Sequence, residues 1–179
     1  MKTRAQAMHS VVITGAESTG KSTLTDALAQ HYQAPHSKEF VRQYVDGLQR
    51  ALTIDDLESI ARGQLRVEDS IRNTESVLVL HDTNLLSSML YAEHYFDASL
   101  DWVNRAFAKR DYSLYLLCMP DIPWVADDGQ RESPAVRAKL HRCFKARLDQ
   151  AALPYVEIHG CASTRLDLAI QAIDTCLAN

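Results

Sequence analysis

One stretch near the start constrains the fold more than any other: "SVVITGAESTGKSTLTDALAQHY", residues 10 to 32. Its first six residues form an apolar, β-branched run that stops at Gly15, the pattern of a buried strand. After Gly20 the spacing turns helical, with Leu24, Ala27, Leu28 and Tyr32 on one face. Between the two lies the loop Gly15, Ala16, Glu17, Ser18, Thr19, Gly20, Lys21, Ser22, Thr23, a G-x-x-x-x-G-K-S pattern with the flanks it requires. Its two glycines permit backbone angles that turn successive amides inward around phosphate oxygens, and the helix dipole adds to that field. Lys21 is placed to reach the β- and γ-phosphates of a nucleotide, and the Ser22 hydroxyl to ligate Mg2+. The plainer alternative is a glycine turn with a chance lysine, which leaves the eight matching positions and both flanks unexplained. The loop is read as the binding site of a purine nucleotide, ATP.

The rest of the chain repeats the alternation. "VLVLHDT" (77 to 83) predicts a second buried strand, "YSLYLLCM" (112 to 119) a third and "PYVEIHG" (154 to 160) a weaker one. "HSKEF" (36 to 40) is taken as a strand because it falls between two helical segments. Thr53 with Asp55 and Asp56 reads as an N-cap and acidic first turn, opening a helix to about Arg72. Ser133-Pro134 caps a helix to Leu148, and Ser163 or Thr164 starts the last one. Strands alternating with helices imply a parallel sheet of about five strands covered on both faces. The expected architecture is one α/β domain over residues 1–179, a three-layer sandwich.

Charge and composition narrow the partners. Lys plus Arg number 19 against 23 Asp plus Glu, a net charge of −4, so no electrostatic footprint for long nucleic acid is visible. No apolar run approaches the roughly 20 residues of a membrane span, and no apolar core follows the basic start "MKTR" as in a signal peptide. Cys118, Cys143, Cys161 and Cys176 lack metal spacing and read as reduced cytoplasmic thiols. A small-molecule substrate is the expected partner, and a homo-oligomer is compatible with the sequence.

Three further groups bear on chemistry. Asp82 ends the second buried strand, where it would hold Mg2+; the alternative is a helix N-cap, since Asp82-Thr83-Asn84 leads into a helix. Thr83 rather than a water-priming glutamate follows it, which favours a kinase over a motor ATPase. "KEFVRQY" brings Glu39 to the end of its strand, with Arg42 and Tyr44 on the next turn. Glu39 reads either as the base or ribose-binding group of an acceptor site, or as half of a surface ion pair with Arg42. "PDIPWVADDGQRES" (120 to 133) leaves the ligand edge of the sheet and reads as a lid. Trp124 would offer a flat face to a base, while Arg131 and Arg137 would swing onto the phosphates.

Taken together, "GAESTGKSTL", "KEFVRQY", "VLHDTNLLSSMLYAEHYF" and "YLLCMPDIPWVADDGQRE" resemble the nicotinamide riboside kinase domain of NadR-type proteins, an AAA-like P-loop NTPase domain. The likeness runs in order from about residue 11 to the end, and "PDIPW…DDGQR" is its most specific part. The resemblance implies ATP- and Mg2+-dependent phosphorylation of nicotinamide riboside at its 5′-hydroxyl, giving NMN for NAD synthesis. It also implies a place for Arg165, in "IHGCASTR", near the adenine. NadR-type proteins often carry an adenylyltransferase and some a DNA-binding domain. About ten residues precede the first strand here, so neither activity is carried over. Asn84 also stands where many relatives have a second acid.

The residues speak for that acceptor as well. Its pyridinium ring is a cation, which a tryptophan face attracts by ~0.5–2 kcal/mol, and Asp121, Asp127, Asp128 and Glu132 would add to the attraction. The competing readings are a kinase for another nucleoside or nucleotide and a non-catalytic ATP-binding regulatory module.

Overall fold

The computed structural model describes residues 8–72, 74–124 and 133–178. The strand before the glycine loop, β1 (His9–Thr14), lies in the middle of the sheet. Val11 pairs with Leu80 of β3 (Leu78–Asp82) on one side and with Leu114 of β4 (Leu114–Cys118) on the other. β2 (His36–Ser37) and β5 (Tyr155–Ile158) form the edges, so five parallel strands run in the order β2-β3-β1-β4-β5. The central strands are buried on both faces, and for that reason read as continuous apolar runs.

Alternate side chains go to opposite layers. Val11, Ile13, Leu80 and Leu116 pack under α1 (Lys21–Tyr32) and α7 (Ala162–Leu177), against Leu28 and Ile173. Val12, Tyr115 and Leu117 face α4 (Leu85–Phe96) and α6 (Pro134–Gln150), against Leu86 and Phe144. A smaller cluster joins α3 (Asp56–Arg72) to α4 and α5 (Asp101–Ala108) through Ala61, Leu85 and Val103. Among the described residues, no helix is long and apolar enough to cross a membrane.

The cap at Ser133 is as expected: its hydroxyl oxygen accepts from Val136 N–H at 3.3 Å, with Pro134 in the first turn. Four local expectations change. The first edge strand is only two residues long, and Glu39 takes the N-cap position of α2 (Phe40–Asp46) rather than a place on the strand. There the Phe40 N–H leaves the ladder and donates to Gln64 Oε1 of α3 at 3.1 Å. Around Thr53 the capping runs in reverse: the Asp56 carboxylate accepts the Thr53 N–H at 2.8 Å and its hydroxyl at 3.0 Å. The last helix opens at Ala162, because Gly160 turns the chain at φ 90° and Cys161 is already extended. Residues 85–108, where the sequence marked only a helix start, hold both α4 and α5.

This order makes β1 the switch point. The chain leaves β1 for β2 and β3 on one side, and β4 and β5 lie on the other. Ligands of such sheets bind beyond the carboxyl ends of the strands at that point, where the glycine loop stands.

Candidate functional site

The loop after β1 is built on three left-handed or positive-φ residues, Gly15 (137°), Ser18 (54°) and Gly20 (78°). A Cβ on Gly15 would stand 2.8 Å from the Cys118 carbonyl oxygen, so only glycine lets β1 leave the sheet beside β4. Across the loop, the Thr19 hydroxyl and the Lys21 ammonium both donate to the Ala16 carbonyl, at 2.7 and 2.8 Å. Ser22 follows in the first turn of α1, and Thr23 is exposed.

Amides that face a phosphate leave their carbonyls facing outward, and those carbonyls need donors. Two buried arginines supply them. Arg137 donates to Ser18 and Ile122 carbonyls at 3.1 Å and to Pro120 at 3.2 Å. Arg165 donates to Thr19 at 2.9 Å and to Gly160 and Met119 at 2.8 Å, and pairs with Asp121. Both are forks that tie the loop to the segment leaving β4, a geometry lysine does not reproduce. Arg137, read from the sequence as a cation free to swing onto phosphate, is thus occupied with carbonyls. Arg131 lies outside the described residues, as do Asp127, Asp128 and most of the lid. Trp124, the last residue described before them, is half-buried with its indole N–H buried and unpartnered.

Asp82 ends β3 facing the same point. It is buried; burial foremost raises its pKa, while a hydrogen bond from Ser22 and the Lys21 charge pull it down. Its Oδ1 is buried with no partner. Asn84 is the N-cap of α4, accepting from Leu86 N–H at 3.1 Å and donating to the Tyr115 hydroxyl at 3.0 Å. Asp82 is therefore not spent on the helix. An orphaned carboxylate oxygen beside a serine hydroxyl is the hard-oxygen set that suits Mg2+.

Beside the loop opens a cleft of about 1000 Å3, between α2, α3, α4 and α5. Glu17 and Lys21 reach it from the loop, and Glu39 and Arg42 from α2. Glu39 and Arg42 form an ion pair at 3.2 Å in which Arg42 is largely exposed. Glu39 is thus paired, and it also stands at the wall between this cleft and a smaller cavity at Ser22 and Asp82. Arg50 also faces the cleft, held by Asp56 at 2.7 and 2.8 Å. That guanidinium, ahead of the Thr53 N–H and the Tyr44 hydroxyl, holds the Asp56 carboxyl well below the usual carboxylate range. Tyr91 and Tyr95 line the cleft with rings 5.9 Å apart and 14° from parallel.

Sequence reasoning missed what positions this wall. Gly63 sits in mid-helix, where a Cβ would stand 1.9 Å from Phe40 Cε1; the ring of Phe40 rests on the bare backbone. Gln64 donates to the Thr83 carbonyl at 3.3 Å while accepting from Phe40, so it pins α2 to the end of β3. Behind it Glu68 is fully buried and accepts from the Tyr112 hydroxyl at 2.6 Å; burial pushes its carboxyl up to about 7. The one available signal was a glycine inside a helical pattern.

A five-stranded parallel sheet, a phosphate loop after its central strand and a cleft beside that loop define a P-loop kinase-like domain. The chain belongs to the AAA domain family, whose family model matches residues 10–165. The trifunctional NAD biosynthesis/regulator protein NadR of Escherichia coli (strain K12) is 28% identical over 156 residues, covering 84% of this chain and 38% of that protein. NadR of Salmonella typhimurium is also 28% identical, over 124 residues covering 67% of this chain and 30% of that protein. The chain thus spans well under half the length of these relatives. Among solved structures, a NadR protein in complex with NR superposes with a TM-score of 0.84 at 24% identity, covering 98% of this chain and 53% of that one. A deoxyadenosine kinase of M. mycoides gives 0.66 at 12% identity, covering 93% and 99%. At these identities the structural likeness establishes the fold.

Proposed function

We propose that the domain is an ATP-dependent kinase that transfers a phosphoryl group to the 5′-hydroxyl of nicotinamide riboside, giving NMN. The observation that carries this reading is the state of the arginines in the cleft. Arg42 is on Glu39 and Arg50 is on Asp56, so neither described arginine is free for a phosphate on the acceptor. Among the described residues of the cleft, a nucleoside monophosphate would meet no unpaired arginine, which favours a nucleoside as acceptor. Carboxylates of Glu17 and Glu39 and the stacked tyrosines suit a ring that carries positive charge. Relatives named for NAD biosynthesis support the same acceptor.

In this reading the loop amides of residues 15 to 23 hold the triphosphate and Lys21 moves from Ala16 to the β- and γ-phosphates. Arg137 and Arg165 serve the nucleotide by fixing the loop. Ser22 and Asp82 would hold Mg2+, whose charge offsets that of the phosphates. Glu39 orients the acceptor hydroxyl with Arg42 behind it; Trp124 covers the pyridinium, and Arg131, outside the described residues, would meet the transferring group. The test is product identity: with Mg-ATP and nicotinamide riboside, NMN appears by mass in a one-to-one ratio with ADP. ADP released at the same slow rate with and without the riboside contradicts the proposal and favours a nucleotide-dependent switch.

A further inference from the structure

Two polar atoms in the cleft are buried and bonded to nothing. Glu17 is 7% exposed with no partner for Oε1, and Ser87 is 6% exposed with none for its hydroxyl. Both side chains line the cleft, and Tyr91 lines it with them. Orphaned polar atoms are costly in a folded chain and call for a ligand or another explanation. Their placement is fixed from outside. The Tyr91 hydroxyl donates to Glu17 Oε2 at 2.7 Å, and Ser87 and Tyr91, four residues apart, share one face of α4. Burial first, and the Glu17 charge next, push the Tyr91 hydroxyl well above its usual range, so it remains the donor. Glu17 is thereby clamped through one oxygen, and the other, at the wall of the cleft, is left without a partner.

The geometry points to Glu17, with Ser87 beside it, as the part of the site that recognises the acceptor's sugar. Glu17 Oε1 accepts a hydrogen bond from a ribose hydroxyl that does not itself react, and the Ser87 hydroxyl makes a second polar contact to the same sugar. The proposal rests on reading the cleft as an acceptor site, and it moves Glu17 from the nucleotide to the acceptor. Its backbone belongs to the phosphate loop, but its side chain faces the other way. A site built to pair a hydroxyl rejects the analogue that lacks it, because its own buried oxygen is then left bare. The cleft should therefore distinguish ribosides from deoxyribosides.

The experiment compares the wild type with Glu17→Gln, Ser87→Ala and Tyr91→Phe. A fluorescent ATP analogue is titrated into each, and binding of nicotinamide riboside and its 2′- and 3′-deoxy forms is measured by calorimetry with a non-hydrolysable ATP analogue present. Expected for Glu17→Gln are an unchanged nucleotide Kd and an acceptor Kd raised about ten- to a hundredfold. The wild type prefers the riboside to at least one deoxy form by about tenfold or more, and Glu17→Gln erases that preference. Tyr91→Phe and Ser87→Ala weaken the acceptor in the same direction, by less. The inference is overturned if Glu17→Gln weakens the nucleotide instead, or if it keeps the wild-type preference for the riboside. If the riboside is not the acceptor, the wild type binds and phosphorylates another nucleoside. That result sinks the proposed substrate, and the same comparison with that nucleoside and its deoxy forms then decides Glu17. A wild type that binds no nucleoside overturns both.

Discussion

Gly63→Ala sets two ordinary rules against each other. An alanine in the middle of α3 gains about 1 kcal/mol of helix propensity over glycine. Its Cβ, however, would stand 1.9, 2.2 and 2.3 Å from Phe40 Cε1, Cδ1 and Cζ, so the whole ring must leave. Overpacking of this kind costs about 1–3 kcal/mol. The balance is a destabilisation of roughly 0–2 kcal/mol, and at about 2–4 °C per kcal/mol for this chain length Tm falls by at most about 8 °C. The larger effect is local. Phe40 follows Glu39 and its N–H is held by Gln64, so displacing the ring re-aims the start of α2. Acceptor kcat/KM is expected to fall about tenfold while nucleotide Kd stays within twofold, a loss of ~1.4 kcal/mol confined to the acceptor side. Adding Phe40→Ala removes the clash, so the double variant should lose less than the sum of the two single changes. Calorimetric Tm, nucleotide titration and steady-state kinetics on the four proteins test this. A Tm raised by 2–4 °C for Gly63→Ala, with acceptor kinetics unchanged, would refute the reasoning.

Three other outcomes follow from the same geometry. Lys21→Met should cut turnover by at least about a hundredfold with little change in Tm, since the ammonium's one described bond is to the Ala16 carbonyl. Arg165→Lys should destabilise by about 2–4 kcal/mol in urea unfolding, because one ammonium cannot serve the carbonyls of Thr19, Met119 and Gly160 together. Glu68 has a folded pKa raised to about 7 from 4.5, so its contribution to stability is full below pH 4.5 and lost as pH rises through 7. Removing the titration with Glu68→Gln should shrink the fall in unfolding free energy between pH 4.5 and 8 by up to about 3 kcal/mol.

What the sequence made legible was what local chemistry dictates. The glycine loop and the strand before it, the buried runs of β3 and β4, and the Ser133-Pro134 cap all rest on contiguous residues, and each stands where it was read. What failed depends on contacts distant in sequence. Strand β2 stops at Ser37, and beyond it the Phe40 N–H goes to Gln64, 24 residues away. Arg137 reads as a phosphate ligand because a cation near a phosphate loop suggests charge, and the resemblance alone put Arg165 near the adenine. Each instead donates to one carbonyl of the loop, at Ser18 or Thr19, and to carbonyls beyond β4 and β5, which no pattern of residue types reveals. The bond between the Glu17 carboxylate and the Tyr91 hydroxyl was equally hidden, since the sequence does not tell which way a loop side chain points. The glycine at 63 was visible as a breach of helical composition, but its reason is the ring of Phe40.

The most direct test of the account is the ratio of kcat/KM for nicotinamide riboside to that for AMP, with Mg-ATP as donor and thymidine as a third acceptor. The paired state of Arg42 and Arg50 predicts a ratio far above one against AMP, with NMN as product and the riboside preferred to thymidine. A protein that phosphorylates AMP as well as or better than the riboside would contradict the account, because its cleft would then have to free an arginine from Glu39 or Asp56.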